Sequence, residues 1–509
     1  IREYSKHIDH ILSFIPHMDY KLLPNLVMSL FYDYNINDKR IWIAVEQEAL
    51  NNLHHYDIIA LCKLYFASYI SSPKYTSIDF RRMIFDKINK ELSNISLEEL
   101  FSVCVGLRMS KEKNIYNKIG QIFIEKKDKF LSDDSTKPSN ISKIFYSWAT
   151  NKPTRYTHDT YYPHRELVEK FIETYEDDLN NNIMKMNTTD ISRLCTSLYL
   201  LKSDNIDPFI NRVERNLIKN KDNISAFDLW TILKSFSKMK DNKMVGSDKF
   251  FDEMEPYVIN NFNSYNLDQF TDILYAYSIR GSGSDKLNKL FEEKVNEYIS
   301  RFNTFRQMYN VIWYLLFTEN KNEQLWLSVI NTCDKIEGKL PILYYQPFKL
   351  ASYYLQYLFP NMDLYDFKDR FFDPEQIYDY VKYERHFEKH YEYITFKAHL
   401  NARHSIFPLT HHVINNCLMI NYCFEARKMG INLILDHQLV PKTNRPNKKY
   451  SVHKNILKHD NWEILELTWQ DYFKLGDQNA RDKFIHNWWY EKSVLQEKKG
   501  IFRINPKIV

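Results

Sequence analysis

The sequence predicts a mostly α-helical chain, a helix-turn-helix solenoid of about eight repeats followed by a small α/β domain at the C-terminus. Three observations predict it. An apolar motif at helical spacing recurs eight times before residue 320. Glycine is scarce, 9 in 509 residues beside 16 prolines, which disfavours all-β folds with their frequent turns. From Leu418 onward the apolar periodicity shortens to that of strands, around a run of basic residues.

The repeat unit opens with a residue that is usually polar, then an apolar anchor. Further apolar residues stand three and seven positions on, with a small residue just before the last. The anchors are Leu23, Ile58, Leu100, Ile141, Ile191, Leu229, Phe270 and Met308. Residues at i, i+3 and i+7 share one helical face, and a small neighbour lets a second helix approach closely. The small position holds Ser29, Gly106, Ser147, Ser197, Ser235 and Ala276, and fails at Leu64 and Tyr314. Anchors stand 35, 42, 41, 50, 38, 41 and 38 residues apart, room for two helices and two loops in each interval. Second helices are predicted over 80–92, 164–179, 250–261 and 286–299. Such an array buries a continuous core by stacking, each unit touching its neighbours.

Asp57, Asn140, Asp190 and Asp228 at the first-helix openings suit capping and the helix dipole, so none is read as catalytic. Gly246-Ser247-Asp248 and Gly281-Ser282-Gly283-Ser284 follow no strand and are read as inter-helix loops, not phosphate loops. The array is assigned to 1–335 and a helical cap and connector to 336–404. In the connector Tyr344, Tyr345, Tyr353, Tyr354, Tyr357, Phe371 and Phe372 read as core, because no basic residues interleave them as a stacking platform requires. Mixed charge fills 363–392.

The C-terminal domain is assigned to 405–509, with strands over 418–426, 431–439 and 462–469. A turn at Lys428-Met429-Gly430, a helix over 451–459 and a closing helix over 480–490 complete it. Trp462 and Trp469 read as core, and one of Trp488 and Trp489 as packed inward. The net charge of +4 divides unevenly. From 405 onward there are 16 Lys and Arg against 10 Asp and Glu; before it, 53 against 55. The excess concentrates at Lys442, Arg445, Lys448, Lys449, Lys454 and Lys458, with no carboxylate among them, a surface that favours an anionic partner. Tyr450 and His453 are available to stack or hydrogen-bond, and these eight residues form the expected RNA-binding set. The alternative is a solvated basic loop.

The module resembles the RAP domain of organellar RNA-binding proteins, including the fast-kinase-like and heptatricopeptide-type families. The resemblance spans about sixty residues. It is carried by Asn432-Leu433-Ile434-Leu435-Asp436-His437, by the basic segment leading into Asn455-Ile456-Leu457-Lys458, and by Asn461-Trp462-Glu463-Ile464-Leu465-Glu466-Leu467-Thr468-Trp469. Where that family favours Gly before Trp462 this chain has Asn461, and Tyr472 takes the place of a later aromatic. The array, longer and less regular in period than tetratricopeptide or pentatricopeptide repeats, is similar to the degenerate helical repeats that accompany RAP domains. The resemblance implies a reduced PD-(D/E)XK nuclease core and a mitochondrial location.

Such a nuclease needs two or three carboxylates around a divalent ion. Asp436 stands at the family's strand-end position, but Ile434 replaces the acid two residues earlier, and no Asp or Glu is followed two positions later by Lys on the neighbouring strand. Asp436 and His437 are expected to cap or hydrogen-bond the adjacent loop. His404, His411, His412, Cys417 and Cys423 match no closed metal site, so neither metal nor cofactor is expected. Six cysteines without a paired spacing read as reduced, buried thiols. No apolar run reaches the roughly 18 residues of a membrane span. The chain starts at Ile1 and is read as a processed or partial chain, so that any targeting peptide would lie outside this sequence.

The expected function is a non-enzymatic mitochondrial protein that binds ribosomal RNA or a transcript, as a mitochondrial ribosome component or an RNA stability or processing factor. One alternative is a scaffold subunit of a large mitochondrial assembly making mainly protein contacts, an emphasis that the near-neutral array favours. Another is an RNA-processing endonuclease. A kinase is excluded by the lack of a glycine-rich loop with a strand lysine and of HRD and DFG motifs.

Overall fold

A computed structural model describes residues 2–30, 38–70, 76–107, 113–150, 165–201, 207–237, 244–338, 340–341, 344–362, 391–404, 408–414, 418–443 and 445–501. The described residues form 23 α-helices and, near the C-terminus, four β-strands. The chain divides into two compact units, Ile1–Asn216 and Leu217–Val509. Phe371, Phe372, most of the mixed-charge stretch 363–392 and Cys417 lie outside the described residues.

All eight copies of the apolar motif lie on helices. In the first unit these first helices are Leu23–Met28 with its continuation to Leu30, Ile58–Ile70, Leu97–Gly106, Lys137–Thr150 and Thr188–Leu201, each packed on the next. In the second they are Ala226–Ser237, Leu267–Arg280 and Phe305–Phe317, and the helix Tyr345–Leu358 packs on the last of these as a ninth first helix. Of the 24 motif positions only Leu26 is not buried. The small position does what its size allows: a Cβ at Gly106 would meet the Cys62 Cβ at 2.5 Å, so glycine sets the approach of helix 97–106 to helix 58–70. Second helices run Ile78–Glu91, Arg165–Asn182, Asp248–Asn260 and Asp285–Tyr298 where expected, and also Lys39–Asn51, Lys113–Glu125, Asp207–Lys219 and Glu323–Lys335.

A linking turn repeats as regularly as the helices. Six second helices pass through a short 3-10 turn into one extended, buried apolar residue: Tyr56, Ile95, Met186, Ile224, Tyr265 or Phe302. A capping residue follows. Ser96 and Asn266 form full capping boxes with Glu99 and Gln269. Asn187 and Ser225 accept the backbone N–H of Asp190 and Asp228, which therefore stand two to three residues inside the helix and do not cap it. Asp57 does cap, accepting from Ala60 N–H at 2.8 Å.

Buried carboxylates tie neighbouring first helices together. Asp190 accepts from Ser142 Oγ at 2.7 Å. Asp272, 4% exposed, accepts from Trp230 Nε1 at 3.1 Å, from Asn310 Nδ2 at 3.2 Å and from Arg306, with Lys234 Nζ 3.6 Å away. Burial, opposed by Asp272 and aided by Arg306, holds the Lys234 ammonium below its usual range. The two loops weighed as phosphate loops are helix junctions. Ser247 and Ser284 cap the helices that follow, and the fully buried Arg280 donates to the Val245 and Gly246 carbonyls at 3.0 and 2.8 Å.

The C-terminal sheet has the order β1 (Leu409–Ile414), β2 (Leu418–Phe424), β3 (Met429–Ile434) and β4 (Glu463–Thr468). β1 to β3 are antiparallel neighbours and β4 is parallel to β3. β1 is an addition to the three expected strands, because its His411-His412 pair hides an alternating pattern. The turn lies at 425–428, ahead of the expected place: Lys428 takes the left-handed conformation, while Met429 and Gly430 open β3. A side chain at Gly430 would meet the Ile420 Cγ2 at 2.6 Å, so the strand needs glycine there. Beyond Ile431 the β2–β3 ladder is carried by side chains: Asn421 Oδ1 accepts from Leu433 N–H at 2.9 Å and Asn432 Oδ1 from Asn421 N–H at 3.2 Å. Helices Tyr391–His404 and Gln478–Lys498 meet around Phe396, Leu400, Tyr422, Leu433, Leu467 and Ile485. Trp462 is buried, Trp469 and Trp488 pack on this core, and Trp489 lies edge-on to Phe424 beneath Arg427. Among the described residues Cys62, Cys104, Cys195, Cys333 and Cys423 are buried, and no helix is long and apolar enough to cross a membrane.

Candidate nucleic-acid interface

A parallel strand pair needs a crossover, and the segment between β3 and β4 that supplies it contains the whole basic set. It leaves β3 through the 3-10 turn Asp436–Gln438, folds back in a tight loop closed by the Leu439↔Pro446 bridge and the Val440 N–H to Arg445 carbonyl bond at 2.8 Å, and enters the helix Lys448–His459. Lys442 sits at the loop tip with φ 63°, and Asn447 caps the helix by accepting from Lys449 N–H at 3.0 Å. Val452, Ile456 and Leu457 are buried, and the helix packs against β4 and against helices 267–280, 305–317 and 345–358.

This packing divides the eight expected residues. Arg445, Lys448, Lys449 and His453 face the repeat helices. Arg445 donates to the Arg280 carbonyl and pairs with Asp248 at 3.3 Å. Lys448 lies along Gly281, where a Cβ would meet its Cε at 2.6 Å. Lys449 Nζ stands 5.1 Å from the Trp313 ring centroid, a cation–π contact. His453 Nε2 lies 3.3 Å from Gln346 Nε2, and burial, with the Lys449 ammonium second, pushes the imidazole down to about 3. Lys442, Lys454 and Lys458 are exposed and Tyr450 is half-buried. Lys454 and Lys458 lie with Ser451 on the helix face away from the buried stripe, and Lys454 reaches Glu466 of β4 at 3.0 Å.

Two contacts of the same junction escaped the sequence reading. Asn455 Nδ2 donates to Glu319 Oε1 at 2.7 Å, and His459 stacks on Tyr357 with ring centroids 3.5 Å apart. Tyr357, expected in the core, is 51% exposed, whereas Tyr345 and Tyr354 are buried and Tyr344 and Tyr353 intermediate. A glutamate at 319 with φ 50° carries no local pattern that points to residue 455.

Asp436 is exposed at the end of β3, and Ile434, two residues earlier, is buried. His412 Nε2 lies 3.5 Å from Glu425. Among the described residues no group of three or more His, Cys, Asp and Glu side chains is arranged to hold a metal ion. No protein-family model and no curated protein matches this sequence.

Proposed function

We propose that the chain is a non-enzymatic RNA-binding helical-repeat protein of the mitochondrion, in which a solenoid and a RAP-like module together hold ribosomal RNA or a transcript. It would act as a mitochondrial ribosome component or as an RNA stability or processing factor. The mitochondrial location rests on the family resemblance. Stacked first helices joined by a repeating turn support the solenoid, and a mixed sheet with a helix crossing from β3 to β4 supports the reduced nuclease-like core. The observation that carries RNA binding is the division of the basic segment: one face is spent on the repeat helices, while Lys442, Lys454 and Lys458 remain at the surface.

The test is crosslinking and sequencing of RNA bound to the native protein, beside a Lys442→Ala/Lys454→Ala/Lys458→Ala variant. Recovery of one RNA, lost in the variant, supports the reading, and the identity of that RNA decides between ribosomal subunit and transcript factor. Recovery of no specific RNA removes it.

A second reading, a scaffold making mainly protein contacts, is favoured by large apolar side chains exposed in the first unit: Ile43 at 53%, Ile78 at 75% and Val105 at 60%. An endonuclease would need a second acid near Asp436, where the chain carries the buried Ile434.

A further inference from the structure

Where the helix Tyr345–Leu358 meets the end of the helix Lys448–His459, the surface holds a pocket of about 240 Å³. That is below the roughly 300–1,000 Å³ of clefts that take drug-sized ligands and suits a single planar ring system. Tyr353, Tyr354 and Ile456 line it, and the stacked Tyr357 and His459 rings form part of its wall. Besides the Tyr353, Tyr354 and Tyr357 hydroxyls and the His459 ring nitrogens, two side chains there end in polar groups, the exposed Gln356 and Asp460. The Asp460 carbonyl accepts from Lys428 Nζ at 3.0 Å, and among the described residues no hydrogen bond or ion pair engages its carboxylate. Lys458, two residues before Asp460, is on the exposed basic face.

We infer that this pocket takes one unpaired guanine base of the bound strand. The inference rests on the RNA reading above and extends it from phosphate contact to base choice. Aromatic faces accept any base by stacking, so Tyr357 and His459 supply affinity without selection. Selection comes from the polar edge. A carboxylate accepts and does not donate, and guanine is the one common base whose Watson–Crick edge offers two adjacent N–H donors, N1–H and the N2 amine. The Gln356 amide supplies a donor for guanine O6.

The experiment compares the full chain's affinity for oligouridine carrying one central guanosine, adenosine or cytidine with its affinity for plain oligouridine, by fluorescence anisotropy. The guanosine oligomer should bind about tenfold more tightly than the others. Asp460→Asn should remove that preference and leave affinity for plain oligouridine unchanged. Tyr357→Ala should weaken the guanosine oligomer by about tenfold through lost stacking. Both positions are exposed, so neither variant threatens the fold, which circular dichroism verifies. Equal binding of all four oligomers, or a guanosine preference that survives Asp460→Asn, overturns the pocket while leaving RNA binding in place. Binding of no oligomer overturns both.

Discussion

At the scale of single residues the molecule depends on a few side chains whose partners lie far away in sequence. Asp272 is the clearest, since it anchors Trp230, Asn310 and Arg306 across three first helices. Asp272→Ala leaves those donors without their acceptor in a buried setting and should cost about 3 kcal/mol in chemical denaturation. Gly281 combines a left-handed backbone, φ 64°, with Lys448 pressed against it. Gly281→Ala should therefore destabilise by about 1–2 kcal/mol, more than a glycine-to-alanine change at an open loop position. His453 predicts a pH effect. Its folded-state pKa of about 3 lies below the ordinary 6.5, so the unfolded chain binds the proton first as pH falls. Its contribution is fully present above about pH 6.5 and is lost progressively towards pH 3. The denaturation midpoint of the native protein should fall more between pH 7 and pH 5 than that of His453→Gln. Equal slopes would show that the imidazole is not held neutral by its packing. None of these three roles is legible from the neighbouring sequence. Asp272 belongs to no motif, and the partners of His453 and Gly281 lie more than a hundred residues away.

At the scale of elements, period carries information that individual residues do not. The i, i+3, i+7 motif located eight of the nine first helices among the described residues because burial of one stripe is imposed at every stacking step, whatever the loops do. It missed helix 345–358, which buries Phe348, Ala351 and Leu355 at the same spacing but opens on Pro347 and carries Tyr354 at the small position, and which packs on helix 305–317 as the others pack on theirs. Strand β1 was hidden by histidines, and the turn before β3 lay ahead of its expected place because Lys428, not Gly430, takes the left-handed conformation. The basic helix shows the limit of composition. Its charge suggested one surface, whereas its apolar stripe, Val452, Ile456 and Leu457, directs half of the cations onto the repeat helices. Such long side chains bury their stems and keep their charges paired or solvated. Leu457→Ala should cost about 2–4 kcal/mol and, by hydrogen exchange, loosen helix 448–459 together with the face of helix 305–317 beneath it. The Arg445–Asp248 pair is partly exposed, and a double-mutant cycle should give it a coupling below about 1 kcal/mol. The apolar stripe and not the ion pair holds the helix down.

At the scale of the whole molecule, charge is partitioned. The repeat array and connector are near neutral and the last hundred residues carry the excess, which is where the proposed RNA would be drawn. Once the docked cations are set aside, the exposed Lys442, Lys454 and Lys458 are the residues that the proposed function assigns to phosphates, Lys454 by exchanging its Glu466 partner. The salt dependence of RNA affinity measures that number directly. For single-stranded RNA, three neutralised phosphates give a slope of log K against log salt of about −2. In the full chain the slope should be near that value, should fall towards zero in Lys442→Ala/Lys454→Ala/Lys458→Ala, and should be nearly unchanged in Arg445→Ala. A steep slope that survives the triple substitution, or disappears with Arg445 alone, would contradict the assignment of the solvent face to RNA and the opposite face to docking.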